Sequence, residues 1–307
     1  MNFLSMTYFT TTAREQSFTK AAEQLHITQQ TLSAHIAAVE RELGCQLFIR
    51  HSPLELTYAG EVFLQYALDF QRKYRSMEQE FSDISHNQKG VLHVGIAYTR
   101  GRTILPELIT EYQKIYPQIT VQVMEAKNDV LQQNLLKAEI DLAIANFPDQ
   151  IPGVELMDFY EEEVVLLIAE SLLRRLFGAK TDAAIQTIQD EQNLSVLCDC
   201  PFLFNSREDI AGKIGHHLIA QADFIPTVKA QAGNIETLLD LCARGVGACF
   251  CPEKLVRTAL SEEEISGLKV FHFSESTRYQ IRFGWLGQAY RWSTISSFIE
   301  LAVQLIR

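Results

Sequence analysis

The sequence predicts an α/β protein built from three successive parts: a small, mostly helical N-terminal domain, one long helix, and a larger two-lobed α/β domain. Three observations predict this order. Apolar residues recur at helical spacing through residues 17–44, a second apolar series repeats in heptads through residues 58–86, and apolar strands alternate with helices from residue 91 onward. A chain of 307 residues is long enough to give each globular part its own core.

The composition indicates a soluble globular protein with an acidic balance. Lys and Arg number 27 against 38 Asp and Glu, a formal net charge of −11. The longest aliphatic run, "VVLLIA" at 164–169, is too short to cross a membrane, and no basic region precedes an apolar segment at the start, so we expect a cytoplasmic protein with no membrane partner. Six cysteines are ordinary usage for this length, and we expect reduced, structural thiols.

The stretch "SFTKAAEQLHITQQTLSAHIAAVERELG", residues 17–44, predicts two helices joined by a short corner at "HIT". Ser17 and Thr28 suit the N-cap position because their hydroxyls accept hydrogen bonds from backbone amides. Each helix carries one apolar face, formed by Phe18, Ala21, Ala22 and Leu25 in the first and by Leu32, Ile36, Val39 and Leu43 in the second. Two such helices with small residues at their crossing form a helix-turn-helix.

The face of the second helix opposite its apolar stripe is polar at its N-terminal end. Gln29, Gln30 and Ser33 lie there, beside Ala34 and the capping Thr28. Gln can bond an adenine edge with two hydrogen bonds and Ser can bond either base type, so these residues suit reading of a major groove. On these residues alone, an ordinary solvent-facing helix is the alternative.

Residues 45–60, "CQLFIRHSPLELTYAG", predict two short strands, "QLFIR" and "LELTYAG", around an "HSP" turn. This pattern is typical of a wing that follows a helix-turn-helix. Arg50 is expected at the base of the wing, where a guanidinium can meet a DNA phosphate.

Residues 58–86 predict one long helix, because neither Gly nor Pro occurs after Gly60. Its apolar residues follow heptad spacing; they are Phe63, Ala67, Phe70, Tyr74, Met77, Phe81 and Ile84. We expect this seam to pair with a second copy of the chain, chiefly through Phe63, Phe70, Tyr74, Met77 and Phe81. The alternative is a helix packed along its own domain. A polar segment, "SHNQKG" at 85–90, follows as a hinge.

Beyond the hinge, strands and helices alternate in two runs. The first has strands at 91–98, 119–126 and 140–146 with a helix at 105–117, and the second opens with "EEVVLLIAE" at 162–170. These patterns divide the chain into 1–58, the N-terminal domain; 59–89, the long helix and hinge; 90–161 with 268–307, lobe I; and 162–267, lobe II. Paired α/β lobes bind small molecules in the cleft between them, where strand ends and helix N-termini converge.

Polar residues that follow the predicted strands are the candidates for ligand contacts in this cleft. They are Thr99, Arg100, Arg102, Asn146, Asn205, Ser206 and Asn234. Hydroxyls, helix N-termini and two arginines suit a carboxylate. Arginines that are solvated loop charges are the alternative, and a neutral or amino-containing ligand is compatible with the same residues.

Residues 1–60 resemble the DNA-binding domain of LysR-type transcriptional regulators. The matching residues include Ser17-Phe18, Ala21-Ala22, Thr28-Gln29, Leu32-Ser33, Leu43-Gly44, Leu47-Phe48, Arg50 and Ala59-Gly60. The remainder, with "LPELITEYQKIYP", "LLKAEIDLAIAN" and "NIETLLDLCARGVGACFCP", is similar to the family's effector domain, which has the fold of type 2 periplasmic binding proteins. The resemblance implies a winged helix-turn-helix, promoter DNA and a small-molecule effector as partners, and a dimerisation helix. It also implies a homodimer or homotetramer, with RNA polymerase as a further partner.

Several positions depart from the family's pattern. Gln30 stands where members often have Pro, Ala34 where they have a basic residue, and Pro53 and Glu55 occupy a wing that is often basic. Residues 1–60 hold four basic side chains against five acidic ones. Because phosphate contacts supply most non-specific affinity, we expect one copy to bind DNA weakly and two linked copies to gain affinity through effective concentration.

The sequence therefore favours a transcriptional regulator that controls promoters in response to a small-molecule effector. The alternative is a small-molecule binding protein whose N-terminal domain no longer binds DNA. An enzyme using Cys200 or Cys251 with a histidine is disfavoured, because no adjacent base is readable, and no catalytic residue or cofactor is assigned. Metal binding at "GHHL", 215–218, or at the pairs Cys198/Cys200 and Cys249/Cys251 is a minor alternative, as is a thiol switch.

Overall fold

The structure is a computed structural model that describes residues 2–51, 53–85, 89–273, 275–287 and 291–306. The chain forms two compact units. The first spans Met1–Lys89 with Ala289–Ser293, and the second spans Gly90–Gln288 with Thr294–Arg307. The predicted hinge at 85–90 lies at the junction in sequence, but its residues 86–88 fall outside the described part of the chain. No described helix is long and apolar enough to cross a membrane.

The first unit is a winged helix-turn-helix followed by a long helix. Its elements are α1 Phe3–Glu15, α2 Phe18–Gln24, α3 Gln29–Leu43, β1 Phe48–Ile49, β2 Glu55–Leu56 and α4 Tyr58–Ile84. The predicted caps are present: the Ser17 hydroxyl accepts from the Lys20 amide at 3.4 Å and the Thr28 hydroxyl accepts from the Thr31 amide at 3.2 Å. Gly44 ends α3 with φ of +70°, a left-handed conformation that favours glycine.

The strands of the wing are shorter than predicted. β1 and β2 have two residues each and pair antiparallel, Phe48 with Leu56 and Ile49 with Glu55. The predicted second strand stops early because the Thr57 hydroxyl accepts from the Gly60 amide at 3.0 Å and starts α4 at Tyr58. The "TYAG" end of that prediction therefore belongs to the N-terminus of a helix.

The core of the first unit is aromatic and takes in the beginning of the long helix. The ring of Phe9, on α1, lies 5.0 Å from Phe48 and 4.7 Å from Phe63, measured between centroids. Phe63 and Ala67 are buried here. The prediction that Phe63 faces a second copy is wrong, because α1 covers this part of α4 within the same chain.

A buried carboxylate fastens the wing to the second helix of the helix-turn-helix. Glu40, on the inner side of α3, accepts from the Leu47 amide at 2.9 Å and from the Phe48 amide at 3.4 Å. Its second oxygen accepts from the Arg50 guanidinium at 2.9 Å. Two backbone donors and one cation satisfy an acid that is otherwise expensive to bury.

The second unit is a two-lobed α/β domain. Its strands are β3 Gly90–Ile96, β4 Ile119–Glu125, β5 Leu142–Ala145, β6 Val154–Ala169, β7 Pro201–Phe204, β8 Thr227–Gln231, β9 Ala248–Pro252, β10 Leu268–Phe271 and β11 Arg278–Leu286. Its helices are α5 Tyr98–Ile115, α6 Asn128–Leu136, α7 Glu170–Phe177, α8 Thr181–Glu191, α9 Ile210–Gln221, α10 Ile235–Ala243, α11 Glu253–Ala259, α12 Glu262–Ser266 and α13 Ser293–Ile306.

Two parallel groups of strands are joined by two antiparallel strands. The strand order is β4-β3-β5-β11-β6-β9-β7-β8, with β10 also paired to β6. β3 runs parallel to β4 and β5 in lobe I, and β7 runs parallel to β8 and β9 in lobe II, as the alternating pattern predicts. β6 is shared, because its first part pairs with β11 and its second part pairs with β9 and β10. β6 is therefore the strand that crosses from one lobe to the other.

Helix α5 begins earlier than the sequence pattern predicts. It starts at Tyr98, directly after β3, and contains Pro106 in its interior. Arg100 and Gly101 continue its buried face, so packing extends the helix toward its N-terminus. Pro106 therefore lies in the helix interior, whereas the sequence pattern predicts it in the first turn. Thr99, Arg100 and Arg102, which were predicted on a loop, thus lie in the first turns of a helix.

Replacing Glu40 by Ala should loosen the wing, because the Leu47 and Phe48 amides and Arg50 all lose their acceptor. We expect amide exchange at Leu47 to accelerate by an amount equivalent to about 1–3 kcal/mol, measured by hydrogen exchange in the full chain. Glu23→Ala, at an exposed position on α2, is the matched control and should leave exchange at Leu47 unchanged. Equal exchange rates at Leu47 in the two variants would contradict this role for Glu40.

Candidate DNA interface and effector site

The N-terminal end of α3 presents unpartnered polar side chains. Gln29 and Gln30 are exposed and Ser33 is half-buried, and the side chains of all three lack a hydrogen-bond partner among the described residues. Ala34 is exposed beside them, and Thr28 caps the helix. The opposite side of the helix is buried through Leu32, Ile36 and Val39. The side-chain amides of Gln29 and Gln30 and the hydroxyl of Ser33 are therefore available to bond an external partner such as a base edge.

Arg50 has a fixed position at the base of the wing. It pairs with Glu40, and its guanidinium carbon lies 5.9 Å from the centroid of the Phe18 ring. The side chain is still 49% exposed. Arg50 therefore has a structural role that the sequence pattern did not reveal, and it keeps exposed surface for a phosphate.

The second part of α4 carries an exposed apolar strip. Its members, at the predicted heptad positions, are Phe70, Tyr74, Met77, Phe81 and Ile84, and each is 43 to 65% exposed. One member has a partner in the same unit, since the ring of Tyr74 lies 4.5 Å from that of Phe3. The apolar strip is continuous with the buried Phe63 and Ala67, so one heptad series serves a core at one end and an open surface at the other.

Five side chains form a polar network around a buried ion pair at the start of α5; they are Arg100, Asn128, Tyr160, Glu162 and Tyr279. The Arg100 Nε donates to Glu162 Oε2 at 3.3 Å, and its Nη1 donates to Asn128 Oδ1 at 3.4 Å. The Tyr279 hydroxyl donates to the same Glu162 oxygen at 2.6 Å, and the Tyr160 hydroxyl lies 3.5 Å from the other oxygen. The side chains of Arg100 and Glu162 are only 5% and 3% exposed, so this ion pair is almost fully desolvated.

The polar network pairs one cation with one carboxylate, and the hydroxyl of Tyr279 is held in its protonated form. Burial and the Glu162 carboxylate raise the pKa of the Tyr279 hydroxyl well above its ordinary value, so the phenol keeps its proton and donates. Burial opposes the charge of Arg100, but Tyr279 and Glu162 outweigh this effect and the pKa of Arg100 is raised. A charged arginine facing a carboxylate with two phenols offers little net charge to a ligand.

Two further ion pairs join lobe I to lobe II near the polar network. The Arg102 Nη1, on α5, donates to Glu236 Oε2 at 2.6 Å, and its Nη2 lies 3.5 Å from the Thr258 carbonyl oxygen. Lys127, at the start of α6, pairs with Glu208, which follows β7. In both pairs the cation comes from lobe I and the carboxylate from lobe II.

The remaining predicted effector residues lie close to these contacts. The Asn146 Nδ2 donates to the Gln280 carbonyl oxygen at 2.9 Å, and the Asn146 amide shares Asn128 Oδ1 with Arg100. Asn234 caps α10 by accepting from the Glu236 amide at 2.9 Å. Thr99 is half-buried on α5. The Asn146 backbone thus contacts the polar network, and Asn234 caps the helix that carries Glu236.

Asn205 and Ser206 are held by the turn that begins α9. Asn205 is buried, and its Nδ2 donates to Asp209 Oδ2 at 3.4 Å. The Ser206 hydroxyl accepts from the Glu208 amide at 3.3 Å. The two residues therefore order the segment that carries Glu208 toward Lys127.

Sequence reasoning missed most partners of the predicted arginines. The sequence patterns do not point to Asn128, Glu162, Glu236 or Tyr279, although Glu162 precedes a strongly apolar strand segment. An acid at the edge of such a segment signals a buried carboxylate that needs a cation. Its partner, 62 residues away at Arg100, is not readable from local pattern.

The cysteines are mostly buried thiols. Cys249 and Cys251 are fully buried on β9, and burial raises the pKa of each thiol well above its ordinary value. Cys200 is also buried, and burial raises its pKa to about 12. Cys198 is exposed, so the Cys198/Cys200 pair does not share one environment. Thiols that resist deprotonation are poor nucleophiles, which argues against the enzyme that uses Cys200 or Cys251.

The two units define a class of protein: a winged helix-turn-helix linked to a two-lobed α/β ligand-binding domain. Family comparisons agree with this class. Residues 85–307 match the LysR substrate binding domain, and residues 3–61 match the bacterial regulatory helix-turn-helix protein of the lysR family. The chain belongs to the LysR family of transcriptional regulators. In general, members of this family are transcriptional regulators and not enzymes.

Relatives and solved structures cover the chain over most of its length. This chain is 27% identical to the uncharacterized regulator YcgK of Bacillus subtilis, and the alignment covers 100% of this chain and 95% of YcgK. It is 31% identical to YybE of the same organism, covering 88% of each. Full-length OxyR of Pseudomonas aeruginosa is similar with a TM-score of 0.71 at 23% identity, covering 99% of this chain and 95% of OxyR. CbnR complexed with its target DNA is similar with a TM-score of 0.61 at 20% identity, covering 99% of each chain.

Replacing Arg100 by Ala should destabilise the second unit strongly, because it leaves the Glu162 carboxylate buried without its cation. We expect the free energy of unfolding to fall by about 3–5 kcal/mol, measured by urea denaturation followed by circular dichroism. Arg102→Ala is the matched control: its ion pair is 42% exposed on the arginine side, and its loss should change stability by about 1 kcal/mol or less. Similar stability of the two variants would refute a structural role for Arg100.

Proposed function

We propose that this LysR-family regulator reads promoter DNA with Gln29, Gln30 and Ser33, while Thr28, Ala34 and Arg50 approach the sugar-phosphate backbone. The observation that carries the proposal is the set of unpartnered polar side chains at the N-terminal end of α3. A helix with unpartnered side-chain amides at its N-terminal end fits the usual approach of a recognition helix to a major groove. Direct base contacts give sequence preference, and the backbone contacts set the register.

We propose that two copies pair through the apolar strip on α4. Five large apolar side chains at heptad spacing, each at least 43% exposed, form the kind of surface that a coiled-coil partner covers. Pairing would also compensate for the weak DNA affinity expected of one copy, because a second linked DNA-binding unit raises the effective concentration at the operator. A tetramer and a contact with RNA polymerase would build on this dimer.

A small-molecule effector is proposed to bind between the lobes, next to the polar network. Arg102 and Lys127 are the cations that an acidic effector can reach, since their side chains are 42% and 55% exposed, whereas Arg100 is buried against Glu162. A carboxylate effector would replace Glu236 or Glu208 as their partner. Binding would then exchange a contact between the lobes for a contact with the ligand. Such an effector controls DNA binding only if it binds one lobe arrangement more tightly than the other.

Gln29→Ala and Ser33→Ala should each weaken binding to the operator by about 1–3 kcal/mol while binding to a scrambled duplex stays nearly unchanged. The measurement is fluorescence anisotropy with DNA from upstream of the protein's own gene, at several salt concentrations. Lys20→Ala, an exposed cation on α2, is the control and should weaken both duplexes alike, if at all. Equal losses on both duplexes for Gln29→Ala would mean that Gln29 only positions the backbone.

Phe70→Ser combined with Phe81→Ser should shift the protein toward monomer, because it removes two exposed apolar contacts, one at the start of the strip and one near its end. Sedimentation equilibrium measures the dissociation constant, which should rise by at least about tenfold. Lys73→Ala lies on the same helix and is exposed, and it should leave the constant unchanged. An unaltered oligomer in the double variant would place the interface elsewhere.

One observation favours a second function, a small-molecule binding protein that has lost DNA binding. Residues 1–60 carry more acidic than basic side chains, and one of the four cations, Arg50, is already paired with Glu40. The same anisotropy experiment separates the two functions. Binding to the upstream duplex at low salt supports the regulator, and no binding in the absence and in the presence of metabolite pools supports the second function.

A further inference from the structure

Three metal-ligating side chains from three different elements converge beside the crossing strand. Glu163 lies on β6, Glu253 is the first residue of α11, and His272 follows β10. One ligand atom from each lies within 4.8 Å of the other two. Sequence positions so far apart do not form a readable metal motif, and the predicted minor metal sites at "GHHL" and at the cysteine pairs involve none of these residues.

The charges in this cluster are incompletely balanced. His272 Nδ1 lies 3.2 Å from Glu163 Oε1, and the Arg278 Nε lies 3.7 Å from Glu163 Oε2, a distance too long for a hydrogen bond. Arg278 also pairs with Glu161 at 3.5 Å. Glu253 has no ion pair among the described residues. Glu163 therefore shares Arg278 with Glu161, and Glu253 adds a second carboxylate without an ion pair of its own within the described chain.

We propose that Glu163, Glu253 and His272 bind a divalent transition-metal ion such as Zn²⁺ or Co²⁺. One imidazole with two carboxylates supplies three protein ligands, and water completes the coordination. The imidazole favours a transition metal over Mg²⁺ or Ca²⁺, which prefer ligand sets made of oxygen alone. Glu163 is only 14% exposed and is fixed within a strand, so one ligand is preorganised while the half-exposed His272 leaves a route for the ion.

The position of the proposed metal site gives it a bearing on the effector site. Glu163 follows Glu162 along β6, and neighbouring side chains on a strand point to opposite faces. Glu162 reaches into the polar network with Arg100, while Glu163 meets Glu253 and His272. A bound ion would therefore hold the crossing strand to α11 and to the segment after β10 from the face opposite the polar network. The metal site does not depend on the proposed effector.

The test is a titration of the untagged full chain with Co²⁺, monitored through the visible absorbance of the bound metal. Competition with Zn²⁺ then measures the affinity for Zn²⁺. Because Cys45 and Cys198 are exposed and thiolates bind both metals, every protein carries Cys45→Ser and Cys198→Ser. We expect one saturable equivalent in this background. His272→Ala and Glu253→Gln should each weaken binding by at least about tenfold.

Two controls separate this site from adventitious binding to surface groups. His217→Ala removes an exposed histidine on α9, and Glu262→Gln removes an exposed carboxylate on α12. Both should retain the full affinity of the background protein. Absence of a saturable equivalent, or an affinity loss with His217→Ala equal to that with His272→Ala, would overturn the proposal. Thermal melts without metal test whether each variant is folded. We expect His272→Ala to be folded, because this side chain is exposed.

Discussion

The buried ion pair between Arg100 and Glu162 is the constraint on which the second unit depends. Burying either charge alone would be unfavourable by several kcal/mol, so each requires the other. Glu162 lies on the strand that crosses between the lobes, and Arg100 lies in the first turn of α5. The pair therefore fixes the start of α5 against the crossing strand. Tyr279 on β11 and Asn128 on α6 complete the hydrogen bonds, so four elements meet at one desolvated contact.

The first unit uses the same chemistry on a smaller scale. Glu40 satisfies two backbone amides of the wing and the Arg50 guanidinium, so the wing is positioned by an acid rather than by a large apolar core of its own. Glu162, Glu208 and Glu236 likewise pair with cations of the same chain. Each pair uses one cation for one carboxylate, so these contacts leave the net charge of −11 unchanged. The paired carboxylates therefore position structural elements without making the chain less acidic.

Helix α4 joins a folding role to an assembly role. Its first turns bury Phe63 and Ala67 against α1, which holds the helix to the DNA-binding core. Its later turns leave the apolar strip largely exposed, with Phe3 at the start of α1 contacting Tyr74. In the proposed dimer, a helix that starts in one core and continues into the apolar strip would transmit the position of the partner to the first unit. The heptad series is continuous in the sequence, and packing within the first unit decides which of its members are buried.

Elements whose signals are local can be predicted from the sequence. The helix-turn-helix follows from apolar spacing and the caps at Ser17 and Thr28, and the alternation of strands and helices predicts both lobes, because periodicity and capping act within a few residues. Tertiary structure alone decided that α5 extends back to Tyr98, that Phe63 is a core residue, and that Arg100 faces Glu162. Each of these outcomes depends on contacts between residues that are distant along the chain, such as the 62 positions separating Arg100 from Glu162. Such partners are brought together by tertiary packing, and the local sequence pattern carries no signal for them.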